Sequence, residues 1–152
     1  MHSQSCKTFL VCAVVLALFG NLAVASHKKE LNGTWRLVPT RSEFAGEPVI
    51  QTGTVTINNR EHNIYISRGF TLDGEKQSVS YSFTTDGREN SSIKEGKTFK
   101  SKAKWDDDVL KVTTEADGVV SVERYRLNPD GTMTVTVERP GRHLVTLFFE
   151  RQ

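Results

Sequence analysis

The sequence predicts an all-β chain: an up-and-down antiparallel meander of eight to nine strands that closes into a barrel. Three observations carry this. No window of eleven or more residues places apolar side chains at the three-four spacing of a helix. Apolar and polar residues instead alternate over many segments, as in "SVSYSFT", where Val79, Tyr81 and Phe83 share one face and serines the other. Turn signals also recur about every ten to thirteen residues: Asp73-Gly74, Asp86-Gly87, Asp117-Gly118, Asp130-Gly131 and Pro140-Gly141, with Asp106-Asp107-Asp108 inside one longer gap. Strands with one apolar face each must hide that face. Closure into a barrel does so and removes sheet edges, with a two-sheet sandwich as the alternative.

The first element is a targeting segment. Met1 to Lys7 carries only positive charge, Thr8 to Leu22 is almost wholly apolar, and Ala23-Val24-Ala25 is a small-x-small cleavage pattern. Residues 1–25 are therefore read as a signal peptide, and 26–152 as a single domain. The apolar run is shorter than the roughly 20 residues of a membrane-spanning helix, so no stable membrane insertion is expected after cleavage. Export, to a periplasm or to the outside, follows from the leader. Both cysteines, Cys6 and Cys12, leave with it, so a core without disulfides must hold the domain. Lys7 is the leader's one charged Lys, Arg, Asp or Glu. Of the chain's 20 basic and 18 acidic side chains, 19 and 18 remain. That balance lacks the basic footprint of a nucleic-acid partner.

Strands are expected near 33–38, 53–59, 62–72, 76–84, 97–105, 109–116, 119–127, 132–138 and 143–151. In "TFKSKAKW", Phe99, Ser101, Ala103 and Trp105 oppose three lysines; in "TMTVTVE", Met133, Val135 and Val137 oppose threonines. Two segments break the rhythm. Pro39 to Gln51 holds two of the four prolines and reads as a long connection crossing one barrel end. Gly87 to Gly96 is polar and reads as a flexible connection. The last strand is apolar on both parities, Val145, Leu147 and Phe149 against Leu144, Thr146 and Phe148, so its inward face stays open.

One hairpin can be solved on paper. In "NPDGT", Pro129 suits the second position of a type I turn and Gly131 the left-handed position after it, which favours a three-residue loop with a bulge. Leu127 then opposes Met133, Tyr125 opposes Val135 and Glu123 opposes Val137. Arg124 and Arg126 face solvent, while Glu123 points inward and needs a partner. Arg68 shares the parity of Ile64, Ile66, Phe70 and Leu72 and is one candidate; a tyrosine hydroxyl, water or a ligand are others.

Gly33-Thr34-Trp35 at the start of the first strand, the turn rhythm and the "FFER" ending resemble the calycin group of lipocalins, fatty-acid-binding proteins and avidins, most closely small secreted bacterial lipocalin-like domains. The resemblance covers nearly the whole chain after the leader and implies a lipocalin-like barrel. It implies that Trp35 plugs the closed end, with Arg151 packed over it. It also marks departures. The Arg-x-Tyr that clamps a carboxylate in fatty-acid-binding proteins is replaced by Leu147 and Phe149, and Pro39 to Gln51 is too short and proline-broken for their helical lid. His143 is late in the chain, as in haem-binding relatives, but the further glycines of that group are missing after Trp35.

No nucleophile elbow, phosphate loop or metal-ligand spacing is present, so no catalytic residue, metal or cofactor is assigned. Asp106-Asp107-Asp108 reads as a turn. Asn32 and Asn90 lie in glycosylation sequons, which matter only in a host that glycosylates. The leading functional reading is a barrel that binds a small, mainly apolar ligand among Arg68, Tyr81, Phe83, Phe99, Trp105, Glu123 and Tyr125, with room beside the small Ser101 and Ala103. The alternative is a filled structural or interaction barrel, with Lys100, Lys102, Lys104, Arg124 and Arg126 as an outward basic stripe. An enzyme whose pocket shapes its substrate would rest on Glu123 alone.

Overall fold

Alternation and turn chemistry produce ten strands in the computed structural model, which describes residues 30–94 and 96–152. The signal peptide expected at 1–25 lies outside the described residues. The strands are β1 (Gly33–Leu37), β2 (Ile50–Arg60), β3 (Asn63–Leu72), β4 (Glu75–Thr84), β5 (Asp86–Lys94), β6 (Lys97–Asp106), β7 (Val109–Ala116), β8 (Val119–Leu127), β9 (Met133–Glu138) and β10 (Val145–Arg151). They form one antiparallel sheet in the order β4-β3-β2-β1-β10-β9-β8-β7-β6-β5. Each strand thus pairs with its chain neighbours, except that β10 returns to β1 and β4 is not paired with β5. The barrel is nearly closed.

Two expectations are corrected here. The strand count is ten, because β5 forms where Gly87 to Gly96 reads as a flexible connection. β5 pairs only with β6, Asn90 opposite Ser101 and Ser92 opposite Phe99, and its side chains are mostly exposed. A strand held by its backbone ladder and a surface ion pair, Glu89 with Lys102, leaves no apolar alternation to read. Closure is also incomplete as a ladder, since β4 and β5 are not paired as sheet neighbours; a side-chain bond from the Thr84 hydroxyl to Asp86 Oδ1, 2.9 Å, links them at one end.

The tight turns follow the residues that permit them. Asp73-Gly74 joins β3 to β4 and Asp117-Gly118 joins β7 to β8, all four with positive φ, as a type I′ turn requires. Asp107-Asp108 is the turn between β6 and β7. In the β8–β9 hairpin the Asn128 N–H donates to Thr132 O at 2.8 Å around a three-residue loop. The register is Leu127 to Met133, Tyr125 to Val135 and Glu123 to Val137, as the sequence predicts.

The core takes the inward parity of nearly every strand: Trp35, Leu37, Val55, Ile57, Ile64, Ile66, Phe83, Ala103, Leu110, Val112, Tyr125, Met133, Val135, Leu147 and Phe149 are buried. A large apolar side chain contributes roughly 1.5–3 kcal/mol when fully buried. β10 turns Val145, Leu147 and Phe149 inward, which decides the face left open by its sequence. Its outward Phe148 is covered by the Arg41 guanidinium, 3.4 Å from the ring centroid.

The connection after β1 runs to one barrel end, where Phe44, Glu47 and Pro48 line the opening. It makes a single 3-10 turn at Pro39–Arg41 and then runs beside β10, where Glu43 and Thr146 exchange backbone hydrogen bonds of 2.7 and 2.9 Å. Thr146 offers a backbone donor and acceptor that β1 is too short to reach, and the connection satisfies them. Phe44 packs against the core and the chain then turns into β2.

Candidate functional site

At one end of the barrel the chain builds a plug. Trp35 is fully buried and its Nε1–H donates to Leu31 O at 2.9 Å. Arg151, opposite Trp35 in the β1–β10 register, lies over the ring with its guanidinium carbon 4.4 Å from the centroid. The same guanidinium donates to the carbonyls of Asn32, at 2.7 Å, and Glu30. Gly33 is required between them. Its φ is +130°, and a Cβ there would sit 2.8 Å from Arg151 Nη1.

Towards the other end lies a cavity of about 380 Å³, against the contiguous wall β3-β2-β1-β10-β9-β8. This is near the small end of ligand pockets, which run roughly 300–1,000 Å³. Val55, Phe70, Val135, Val137, Leu147 and Phe149 supply its apolar lining. Its mouth is framed by Phe44, Glu47 and Pro48 on the connection, Leu72 and Gln77 at the β3–β4 end, and Arg139 after β9. Glu47 reaches across that mouth to Arg139 at 3.7 Å and Arg142 at 3.4 Å.

The inner limit of the cavity is polar. Arg68 on β3 and Glu123 on β8 come from the two ends of this wall and meet in the lumen. Arg68 Nη1 donates to Glu123 Oε1 at 2.8 Å, and Nη2 donates to both Glu123 Oε2 and Tyr125 Oη. The Tyr125 hydroxyl donates to Glu123 Oε2 at 2.8 Å. Arg68 is four steps along β3 from Leu72, so the trio lies roughly 13 Å from the mouth along the strand. Beyond it the barrel is filled by Ile57, Ile64, Ile66, Phe83 and Leu110.

Burial works against the Arg68 charge, but Tyr125 and Glu123 outweigh it and hold the guanidinium above its already high ordinary pKa. Burial first, and then the Glu123 charge, pushes the Tyr125 phenol well up, so it stays a neutral donor. Burial also raises Tyr81, against the pull of Arg68. Tyr81 takes the Arg68 guanidinium over its ring at 5.4 Å.

The seven interior candidates divide. Arg68, Glu123 and Tyr125 line the cavity together. Tyr81, Phe83, Phe99 and Trp105 do not. Tyr81 and Phe83 stack with centroids 5.6 Å apart, and Phe83 belongs to the packed half with Trp105 against it. The space expected beside Ser101 and Ala103 is also absent, since both are buried and Ala103 packs within the core. Ser101 and Ala103 are small yet buried, so alternation and side-chain size on one strand do not locate the void. The missed lining residues, Val55, Phe70, Val137, Leu147 and Phe149 among them, carry the inward parity signal but nothing to mark their layer. Outside, Lys104 stands opposite Lys111, and Lys111 opposite Arg124, across β6, β7 and β8. Lys102 is paired with Glu89 at 3.6 Å and Arg124 with Glu138 at 2.8 Å. His62 and His143 are both exposed.

A near-closed antiparallel barrel with a Trp-plugged end and an apolar lumen defines a calycin-like β-barrel. Solved structures agree on this. Secretory abundant heat soluble protein 4 from Ramazzottius varieornatus is 15% identical, with 82% of this chain and 96% of that one covered and a TM-score of 0.64. The Schistosoma mansoni fatty-acid-binding protein, solved with arachidonic acid, is 16% identical over 83% and 98%, with a TM-score of 0.59. The fluorescent protein UnaG is 15% identical over 82% and 98%, with a TM-score of 0.61. At these identities the likeness is one of fold. No protein-family model matches the sequence, and no curated protein matches it.

Proposed function

We propose that this chain is a carrier or scavenger of a small, mainly apolar molecule, held in the cavity between the Arg68–Glu123–Tyr125 trio and the Glu47 mouth. The observation that supports this most directly is the cavity itself: about 380 Å³ of apolar-walled space in a barrel whose other half is packed. Burial of ligand surface against Phe70, Val135, Leu147 and Phe149 would supply the affinity, roughly 25 cal/mol per Å² before the costs of association. Neighbours of the same fold include a fatty-acid-binding protein in complex with arachidonic acid, which adds support for an apolar ligand.

The reading includes export. Its support is the leader pattern of residues 1–25. A likeness to secreted bacterial lipocalin-like domains belongs to the same reading and rests on Gly33-Thr34-Trp35 and the "FFER" ending. Binding rather than catalysis is favoured because Glu123 already accepts three hydrogen bonds from Arg68 and Tyr125, a poor arrangement for a base.

The test is titration with a neutral lipophilic dye, followed by displacement with a crude lipid extract, on the wild type and on Leu147→Trp. Saturable dye binding, lost in a Leu147→Trp variant that keeps its β circular dichroism, is the expected result. Absence of saturable binding to the wild type would end the proposal.

A further inference from the structure

The polar end of the cavity is built as a neutral unit. Arg68 and Glu123 are both largely withdrawn from water, with side chains 13% and 17% exposed, and each carries the other's counter-charge. Tyr125 adds a hydroxyl whose phenol is held neutral. A ligand carboxylate placed here would bring a second negative charge next to Glu123, towards an arginine already matched. A ligand ammonium would meet the converse obstacle at Arg68. Either ion would lose its hydration without gaining a counter-ion.

Hydrogen-bonding capacity is nevertheless left over. Of the five Arg68 N–H groups, Nη2 spends two on Glu123 and Tyr125 and Nη1 spends one on Glu123 and keeps its second; the Nε–H also has no acceptor but is too deeply buried for a ligand to reach. Glu123 Oε1 accepts one hydrogen bond and has a further lone pair. The trio can thus still donate and still accept, without net charge. The mouth arginines do not change this balance. Arg139 and Arg142 are half-exposed or more, share Glu47 and lie in water. They can steer an anion but offer no buried counter-ion. The inward β10 side chains Leu147 and Phe149 are apolar and add no second cation to the lumen.

We propose that the preferred ligand is a neutral amphiphile with a hydroxyl head group, which accepts from Arg68 and donates to Glu123, and that free carboxylates of the same chain length are discriminated against. This rests on the cavity being a ligand site. A hydroxyl uses both leftover capacities at once; an ester or ether uses only the donor side.

The test compares dodecan-1-ol, dodecanoate and dodecylammonium as competitors for a neutral lipophilic dye at pH 7. The wild type should bind the alcohol at least tenfold more tightly than either ion. Glu123→Gln, which keeps the shape but leaves Arg68 unbalanced, should move the preference towards dodecanoate. Arg68→Gln should move it towards dodecylammonium. The wild-type ranking stands by itself if either variant fails to fold. Dodecanoate binding as tightly as the alcohol overturns the inference and leaves the cavity-binding proposal intact. Failure of all three, and of the dye, removes both.

Discussion

Arg68 and Glu123 lie 55 residues apart, on strands five places apart in the sheet, and meet in the barrel lumen with Nη1 and Oε1 at 2.8 Å. Removing one partner leaves the other's charge uncompensated in a largely dry place. Arg68→Met is therefore expected to lower stability by about 3–5 kcal/mol. Arg68→Met combined with Glu123→Leu should restore most of that loss, because replacing both charges removes the desolvation penalty along with the attraction. Urea unfolding of the two singles and the double, read as a mutant cycle, checks this. A double variant as unstable as the sum of the singles would contradict it.

The alkaline limb of stability should carry the signature of Tyr125. Its folded pKa lies well above the ordinary value near 10. Above that ordinary value the unfolded chain loses the phenolic proton while the native chain keeps it. The native state then binds more protons, so stability falls as pH rises. The contribution is fully present below about pH 10 and is lost as pH climbs towards the folded pKa. Unfolding free energies measured from pH 9 to 11.5 should drop less steeply in Tyr125→Phe than in the wild type. Equal slopes would mean that Tyr125 is not the group responsible.

At the plugged end, Gly33→Ala should cost about 1–3 kcal/mol, since φ near +130° is strained for any residue with a Cβ. The added methyl also meets Arg151 Nη1. Arg151→Ala should cost less, about 1–2 kcal/mol, through loss of the cation-π contact and of two hydrogen bonds to carbonyls. In a Trp105→Phe background, Trp35 emission should shift to the red in Arg151→Ala.

Glu47 ties the connection to Arg139 and Arg142 across the mouth. Such half-exposed pairs add little stability, so Glu47→Gln should leave the unfolding midpoint nearly unchanged. Its effect belongs to kinetics. Stopped-flow dye association and release should both quicken several-fold, and added salt should do the same to the wild type.

Strands β4 and β5 should exchange their outward amide hydrogens first. Neither has a ladder partner on its outer edge among the described residues, and β5 is mostly exposed. Hydrogen exchange read by NMR should protect β1, β2 and β10 by orders of magnitude more than β5. Uniform protection around the barrel would imply a ladder between β4 and β5.

What the sequence settled by itself was whatever local chemistry decides. Strict alternation set which face is dry on most strands, though not on β5 or β10, and the Asp-Gly and Pro-Asp-Gly turns set the antiparallel order. The Asn128 to Thr132 loop set a register that turned Glu123 inward, because the alternative would bury Arg124 and Arg126. β5 escaped notice because Asn90, Ser91 and Ser92 hold their place by backbone pairing, which leaves no apolar trace. The tertiary structure alone decided the rest: that Arg68 is the partner of Glu123, that Val145, Leu147 and Phe149 face inward, and that the void lies beside Phe70 and Leu147 rather than Ser101 and Ala103. Parity tells a side chain which way to point, but not what it meets inside. That depends on how large residues from distant strands share one layer of a curved sheet, a sum over the whole barrel that no single segment contains.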